Sequence, residues 1–229
     1  MNSEIYERSK QLLGDNNYKK IEDKCLLIFG LGGVGGTAFE CLLRSGFKKF
    51  ILVDFDKVSP SNLNRQILYT YNDIDKSKVL IAKNKALSIN KDAKITVLEM
   101  KISRENIDKL NDFSFDYIID AIDDVSAKIA ISKYAYNHDI PLIISLGMAN
   151  RINPSDVIIT RLDKTSDDPL ARKFRYELKK EGLDTKNFMT VFSKEKPFKN
   201  GPLLSSMMMV PSSAGLAISA HIINYFINL

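Results

Sequence analysis

The feature that most constrains the fold is a glycine-rich turn between an apolar run and a helical pattern. The apolar run is Leu26–Phe29, and the pattern Val34–Arg44 follows the turn. The glycines that form the G-x-G-x-x-G spacing are Gly30, Gly32, Gly33 and Gly35. Such glycines let the backbone turn tightly and let phosphates approach, while the helix N-terminus supplies N–H groups and a positive dipole. We therefore predict a nucleotide-binding turn.

Further apolar runs and helical patterns alternate along the first two thirds of the chain. The predicted strands are 26–29, 50–53, 95–100, 117–119 and 142–146, and the predicted helices are 34–44, 76–89, 104–110 and 125–137. This alternation is typical of a parallel sheet with right-handed crossovers, and the continuously apolar strands indicate that helices cover both faces. The predicted fold class is α/β, with a Rossmann-like, mostly parallel sheet.

The pattern changes after Gly147. The later predicted elements are strands at 157–161 and 190–193, a charged helix at 169–181 with Asp168 as its N-cap, a possible strand at 207–210 and a terminal helix at 214–229. We expect these strands to extend the sheet in antiparallel fashion. No linker separates the two parts, so we predict one domain, 1–229, with a nucleotide-binding part (1–150) and a second part that faces the substrate (151–229).

Composition limits the classes of protein. The net charge is +5, which only weakly favours a polyanionic partner. Cys25 and Cys41, the two cysteines, both look buried and cannot form a four-thiolate zinc site, so we expect no zinc and a reducing cytoplasm. No run of about 18 apolar residues is present, and we interpret the apolar terminal helix as a core or docking helix rather than a membrane span.

A polar segment at the predicted carboxyl edge of the sheet favours a triphosphate over a dinucleotide. Asp54 follows the second strand, where an acidic side chain accepts hydrogen bonds from ribose hydroxyls. Arg65 can clamp phosphate oxygens, and Lys78 adds a second positive charge. An NAD(P) oxidoreductase, the usual reading of a glycine turn and an acid, would leave these two cations without a use.

Carboxylates also follow the fourth predicted strand. Mg²⁺ prefers oxygen ligands and shares them with phosphates, so acids at this edge indicate a magnesium site. We favour Asp123 as the metal ligand and Asp124 as the N-cap of the helix that starts near Val125.

Together these motifs resemble the adenylation site of ubiquitin-activating enzymes and their bacterial relatives for molybdopterin and thiamine sulfur carriers. The resemblance implies that Asp54 binds ribose, that Asn62, Arg65 and Lys78 bind phosphates, and that Asp123 binds Mg²⁺. It also implies a homodimer in which an N-terminal arginine reaches the partner's ATP. Arg8 matches that arginine, and the alternative interpretation is an ordinary surface arginine on an N-terminal helix.

The second part of the chain is similar to one branch of this superfamily, the tRNA threonylcarbamoyladenosine dehydratases. The similar segments are the helix segment 168–182, the strand and loop 191–197 and the segment 210–216. Arg172, Arg175 and Lys179 lie on one face of the helix, and with Lys194, Lys196 and Lys199 they could follow an RNA backbone. The chain departs from the branch at Gly36, at 166–168, where a cysteine is common, and at 203–205.

The resemblance implies an ATP- and Mg²⁺-dependent dehydration of threonylcarbamoyladenosine, next to the anticodon of tRNA, by adenylation of its carboxylate. Helper proteins for sulfur transfer are possible further partners. Two other classes stay open: an adenylating enzyme for a sulfur-carrier or ubiquitin-like protein, and an RNA-binding module without activity. ATP turnover would exclude the last, and dependence on a protein ending in Gly-Gly would identify the former.

Overall fold

The computed structural model of the protein describes residues 4–198, 201 and 204–228, and these contain one seven-stranded sheet. The sheet has the order β3-β2-β1-β4-β5-β7-β6. The strands are β1 (Cys25–Phe29), β2 (Lys49–Val53), β3 (Lys94–Leu98), β4 (Tyr117–Asp120), β5 (Leu142–Ser145), β6 (Val157–Arg161) and β7 (Met189–Ser193). All neighbouring pairs are parallel except β6 and β7, so the antiparallel extension consists of this one edge pair.

Helices cover both faces of the sheet, because the strands bury side chains on each face. The α-helices are α1 (Glu7–Leu13), α2 (Asp15–Glu22), α3 (Gly33–Ser45), α4 (Lys78–Ile89), α5 (Val125–Asn137), α6 (Pro169–Lys180) and α7 (Met209–Ile227). One apolar core joins the sheet to helices α2, α3, α4 and α7. A second core joins the other face to α5 and α6. The α/β prediction with helices on both faces is confirmed.

The order of the strands locates the ligand-binding edge. The chain runs outward from β1 to β2 and β3, and then returns to place β4 on the other side of β1. In open α/β sheets, ligands bind outside the carboxyl ends of the strands where the order reverses. This switch point lies between β1 and β4, so the glycine turn after β1 and the acidic loop after β4 meet there.

Two predicted elements are wrong. The apolar run 207–210 is not a strand, because α7 already begins at Met209; Pro211 lies in the first helical turn, where its missing N–H is not needed. The segment 104–110 forms no α-helix, and a 3₁₀ helix spans Ile107–Asp112 instead. The predictions that fall on Met1–Ser3, Lys199, Pro202, Leu203 and Leu229 lie outside the described residues.

The terminal helix α7 is the one helix of the described chain whose length and apolarity would suit a membrane span. It nevertheless packs closely on α3: a Cβ atom added at Gly215 would lie 2.6 Å from the carbonyl oxygen of Val34. Val210, Ala214 and Ile218 are buried in the core that it completes. This packing is that of a core helix, in which small residues let two backbones approach.

The cysteines differ from the prediction in their burial, since Cys25 and Cys41 are only half-buried. Burial and the neighbouring charge of Asp116 nevertheless raise the pKa of the Cys25 thiol to about 11. Its reactive thiolate is therefore scarce near neutral pH.

Candidate active site

The glycine turn is shaped by contacts that a side chain would destroy. Gly30 has a φ of +84° and donates its N–H to the carbonyl of Val53 at 2.9 Å. A Cβ atom at Gly35 would lie 1.9 Å from the carbonyl oxygen of Gly30. Gly32 is the N-cap of α3 and has no side chain with which to cap the first-turn N–H groups. The turn therefore presents donors at a helix N-terminus, as an anion site requires.

The carboxylate of Asp54 lies beside this turn. Its side chain accepts a hydrogen bond from the Leu31 N–H at 2.7 Å and another from the Asp56 N–H at 2.9 Å. The residue is 8% exposed. Each carboxylate oxygen has a further lone pair available. Asp54 is thus fixed in orientation and still able to accept hydrogen bonds from a ligand hydroxyl.

Lys78 begins α4, and its side chain is only 6% exposed. Its ammonium group forms an ion pair with Asp56 at 2.8 Å, while the Asp56 side chain is 48% exposed. Because Asp56 is half-exposed, water can solvate its carboxylate when Lys78 turns to an incoming anion. Binding of that anion therefore leaves no buried charge without a partner. Asp56 was not singled out from the sequence, although its position two residues after Asp54 was a usable signal.

Asn62 ends the short 3₁₀ helix Pro60–Asn62, and Arg65 lies in the turn that follows it. The Asn62 side chain accepts a hydrogen bond from the Ser59 N–H at 3.1 Å. The Arg65 guanidinium donates to the Ser61 carbonyl at 2.7 Å and to the Asn64 side chain at 2.9 Å. A Cβ atom at Gly33 would approach the Arg65 carbonyl to 3.3 Å, so this turn lies against the glycine turn.

The acidic loop after β4 combines two exposed residues, Asp123 and Asp124, with the fully buried Asp120. Asp123 is exposed, and Asp124 caps α5 by accepting from the Ala127 N–H at 2.9 Å, as predicted. Asp120 and Lys128 form an ion pair of 2.9 Å in which both side chains are 0% exposed. Burial raises the pKa of Asp120, and the Lys128 charge opposes that shift. This pair was not predicted.

The site fits a magnesium ion only together with phosphates. No group of three or more His, Cys, Asp or Glu side chains capable of holding a metal ion occurs in the part of the chain that the structure describes. Mg²⁺ retains waters and commonly takes one or two carboxylates plus substrate phosphates. The exposed Asp123 beside an anion-binding turn matches that mode of binding.

Arg8 is not brought to this site within one chain. Two residues before it, Tyr6 is buried and its hydroxyl accepts a hydrogen bond from the Asn90 side chain at 2.9 Å. Asn90 follows the C-terminus of α4, whereas Lys78 begins that helix. Twelve residues of helix span roughly 18 Å. Arg8 therefore starts from the opposite edge of the sheet.

The helix α6 presents part of its predicted basic face. Asp168 caps it as predicted, accepting from the Ala171 N–H at 2.9 Å. Arg172 and Lys179 are exposed. Arg175 is half-buried and donates to the carbonyl and the hydroxyl of Thr165. Two of the three basic residues are thus free to face a ligand, and the third is committed largely to the fold.

A buried arginine that sequence reasoning missed joins α6 to the sheet. Arg151 is 3% exposed and donates to the carbonyls of Gly147 and Glu195 at 2.5 and 2.9 Å. It also lies 3.8 Å from Asp168, whose carboxylate accepts from the Gly147 N–H at 3.0 Å. The loop after β5 and the start of α6 are therefore held together.

Comparison with known proteins finds relatives and solved structures that are similar over almost the whole chain. The profile of the ThiF family matches residues 6–224. A tRNA threonylcarbamoyladenosine dehydratase of Bacillus subtilis is 32% identical over 238 residues, covering 95% of this chain and 92% of the relative. The crystal structure of E. coli tRNA N6-threonylcarbamoyladenosine dehydratase, TcdA, in complex with ATP has a TM-score of 0.93 and 29% identity, over 98% of this chain and 94% of that one. Its complex with AMP also has a TM-score of 0.93, with 28% identity over the same shares of the two chains.

Proposed function

This chain belongs to the ThiF family, and we propose that it dehydrates threonylcarbamoyladenosine next to the anticodon of tRNA, with ATP as the energy source. The observation that carries the proposal is the similarity to dehydratases over almost the whole chain, including the part after residue 150. The E. coli relative has been crystallised with ATP and with AMP, the substrate and product expected of an adenylating enzyme.

In the first step, an oxygen of the threonyl carboxylate attacks the α-phosphorus of ATP, and the bond from that phosphorus to pyrophosphate breaks. We assign the phosphates to the glycine turn, Asn62, Arg65 and Lys78, and the ribose hydroxyls to Asp54. These groups hold the reactants in line and stabilise the charge that develops on the phosphates. A Mg²⁺ ion held by Asp123 would neutralise phosphate charge when bound.

In the second step, the ureido group of the same nucleoside closes on the activated carbonyl carbon. The bond from that carbon to the AMP oxygen breaks, AMP leaves, and the ureido nitrogen gives up its proton. A five-membered ring forms, and the sum of the two steps removes one water from the nucleoside. No enzyme nucleophile is required, which agrees with the raised pKa of Cys25.

The proposal extends to the assembly. We propose a cytoplasmic homodimer in which Arg8 of one subunit reaches the ATP of the other, because Arg8 starts about one helix length from its own site. On the second part of the chain, we assign RNA contacts to the exposed Arg172 and Lys179, with Lys194 and Lys196 beyond them. Arg175 has the lesser role, because Thr165 already occupies its guanidinium.

The test is incubation of the protein with ATP, Mg²⁺ and tRNA that carries threonylcarbamoyladenosine, followed by mass spectrometry of the nucleosides. We expect loss of one water from that nucleoside, with AMP and pyrophosphate as products. The Asp123→Asn variant is the matched control and should form much less product. If pyrophosphate exchange requires a protein ending in Gly-Gly and is indifferent to tRNA, the chain activates a sulfur-carrier or ubiquitin-like protein instead.

A further inference from the structure

The ion pair between Asp120 and Lys128 is the most deeply buried of the charged pairs that the structure describes, and the reaction as derived above does not use it. Both side chains are 0% exposed, and their charged atoms are 2.9 Å apart. One carboxylate oxygen of Asp120, Oδ2, is buried without a hydrogen-bond partner among the described residues. Such a pair costs desolvation that its own attraction only partly repays, and apolar replacements are often as stable. The complete burial of this pair therefore indicates a role other than stability.

We propose that Asp120 and Lys128 are positioning residues that hold the acidic loop 120–124, and with it Asp123, against the glycine turn. The proposal rests on the role assigned to Asp123 in the proposed function. Asp120 ends β4 and Lys128 lies in the first turns of α5, so their bond closes the loop at its base.

The contacts of the loop show what the pair holds. The same oxygen of Asp120 that accepts from Lys128 also accepts the Ile122 N–H at 3.2 Å, inside the loop. Ala121 donates its N–H to the Phe29 carbonyl at 2.8 Å. Its own carbonyl oxygen would lie 2.8 Å from a Cβ atom at Gly30, so the loop and the glycine turn touch through their backbones.

The geometry assigns different roles to the two exposed acids of the loop, Asp123 and Asp124. Asp123 is exposed and can contact a ligand. Its carboxylate has a fixed position only if the backbone of the loop is rigid. The pair below it supplies the rigid base, and the Asp124 cap fixes the far end of the loop on α5. Because a displacement of about 1 Å can reduce a rate roughly 100-fold, loss of this base should affect turnover more than folding.

The chain offers a matched control at the other end of the same two strands. Lys24 precedes β1 and Asp116 precedes β4, and they form an ion pair of 2.9 Å that also binds the Cys25 N–H. This pair is about one-third exposed and lies at the edge opposite the site. We therefore compare two double variants. The site-pair variant carries Asp120→Asn and Lys128→Met, and the control variant carries Asp116→Asn and Lys24→Met.

The first measurement is amide hydrogen exchange without any ligand, so that it does not depend on the proposed function. We expect the site-pair variant to lose protection at Ala121 and Ile122 while the β1 amides keep theirs. The control variant should leave the loop protected. Unchanged exchange across 120–124 in the site-pair variant would overturn the proposal.

The second measurement is a double-mutant cycle on the Mg²⁺-dependent increase in affinity for a fluorescent ATP analogue. Asp123→Asn should lower that increase in the wild type and in the control background, but little in the site-pair background, where Asp123 is already misplaced. In the site-pair variant we expect a roughly 100-fold lower kcat for tRNA dehydration, together with loss of most of the Mg²⁺-dependent increase in affinity for the ATP analogue. An equal effect of Asp123→Asn in every background would also overturn the proposal.

These readouts separate failure of the positioning role from failure of the proposed function. If the wild type does not dehydrate tRNA, the proposed function fails, and the exchange data still decide whether the pair holds the loop. If the site-pair variant does not fold, the single variant Lys128→Gln replaces it, since its side chain is one bond shorter and uncharged, so that the 2.9 Å ion pair with Asp120 is lost while a polar group remains to fill the space. Loop protection in Lys128→Gln lower than in the wild type supports the proposal, and unchanged protection overturns it.

Discussion

Replacing Gly35 by alanine tests whether the glycine turn is the anion site. The added Cβ atom would lie 1.9 Å from the carbonyl oxygen of Gly30 and 3.0 Å from the Cβ atom of Ala121. Neither neighbour is the free end of a flexible side chain, so the backbone of the turn itself must give way. The substitution therefore opens the cradle formed between the end of β1 and the start of α3.

The magnitude follows from the distance. Real Cβ atoms essentially never approach another heavy atom closer than 3.0 Å, so the Gly30 carbonyl must retreat by about 1 Å. A displacement of this size in a positioning element costs roughly 100-fold in rate, which corresponds to about 2.7 kcal/mol of transition-state stabilisation. We expect that loss in kcat/KM for ATP, together with a lower melting temperature.

The assay measures ATP affinity by calorimetry and the formation of AMP with tRNA present. Gly32→Ala is the control for sterics within the protein, because the nearest neighbour of its added Cβ atom is the Gln66 side-chain nitrogen at 3.8 Å. The Gly32→Ala variant should keep the wild-type melting temperature. It should still bind ATP more weakly if the phosphates lie against the backbone at Gly32. Wild-type kcat/KM and stability in Gly35→Ala would refute the reasoning.

Three further predictions concern single side chains. Asp168→Ala removes a helix cap and leaves the buried Arg151 without its carboxylate, so we expect a loss of about 3–5 kcal/mol in urea unfolding. Burial raises the pKa of Glu40, but the ion pairs with Lys85 and Arg44 outweigh burial and hold that pKa below its usual value. Because the pKa of Glu40 is lower in the folded state than in the unfolded state, its ionised carboxylate stabilises the fold at pH values above the unfolded-state pKa. This stabilisation is lost as the pH falls through the folded-state pKa. Glu40→Gln should therefore lower the urea midpoint at pH 7, and the difference should vanish in acid. Lys78→Met should reduce kcat roughly 100- to 1,000-fold yet leave the melting temperature nearly unchanged, because its half-exposed partner can be rehydrated; a melting temperature that falls together with kcat would contradict this.

The centre of the sheet was predictable because its parallel strands β1, β2, β4 and β5 are buried on both faces, whereas the edge strand β3 is half-exposed. Such buried strands produce continuous apolar runs rather than alternation, and helices between them repeat every three to four residues. The prediction for 125–137 matches α5 at both ends, and that for 157–161 matches β6. Both segments have clear boundaries, since Asp124 caps α5 and 3₁₀ turns flank β6.

The start of the terminal helix was not predictable in the same way. An apolar run of four residues before a proline has the same pattern whether it is a strand or the first turn of a buried helix. What decides between them is tertiary contact: Val210 is buried in the core, and Pro211 lies where a Cβ atom at Gly33 would be 2.9 Å away. Such contacts join residues about 180 positions apart in the chain.

Pairing of charges was equally beyond local patterns. Lys128 lies on α5 among residues that suit a partly solvated helix, and nothing in its spacing indicates complete burial. Only the fold brings it 2.9 Å from Asp120. Arg175 shows the converse case, because it shares a helical face with Arg172 and Lys179 but donates a hydrogen bond to Thr165. Helical spacing predicts which side chains point in the same direction. It does not predict which of them form hydrogen bonds within the protein.

The two parts of the chain depend on one another physically, which supports the proposal of one domain over 1–229. Strand β7 pairs with β5 of the first part, and α7 packs on α3, the helix that carries the glycine turn. The loop after β5 is tied to α6 through Gly147, Arg151 and Asp168. If α6 faces RNA as proposed, the RNA is held by a helix anchored at the carboxyl edge of the same sheet whose turn holds ATP. Adenylation needs such an arrangement, because the carboxylate and the α-phosphate must be brought together by elements that do not move independently.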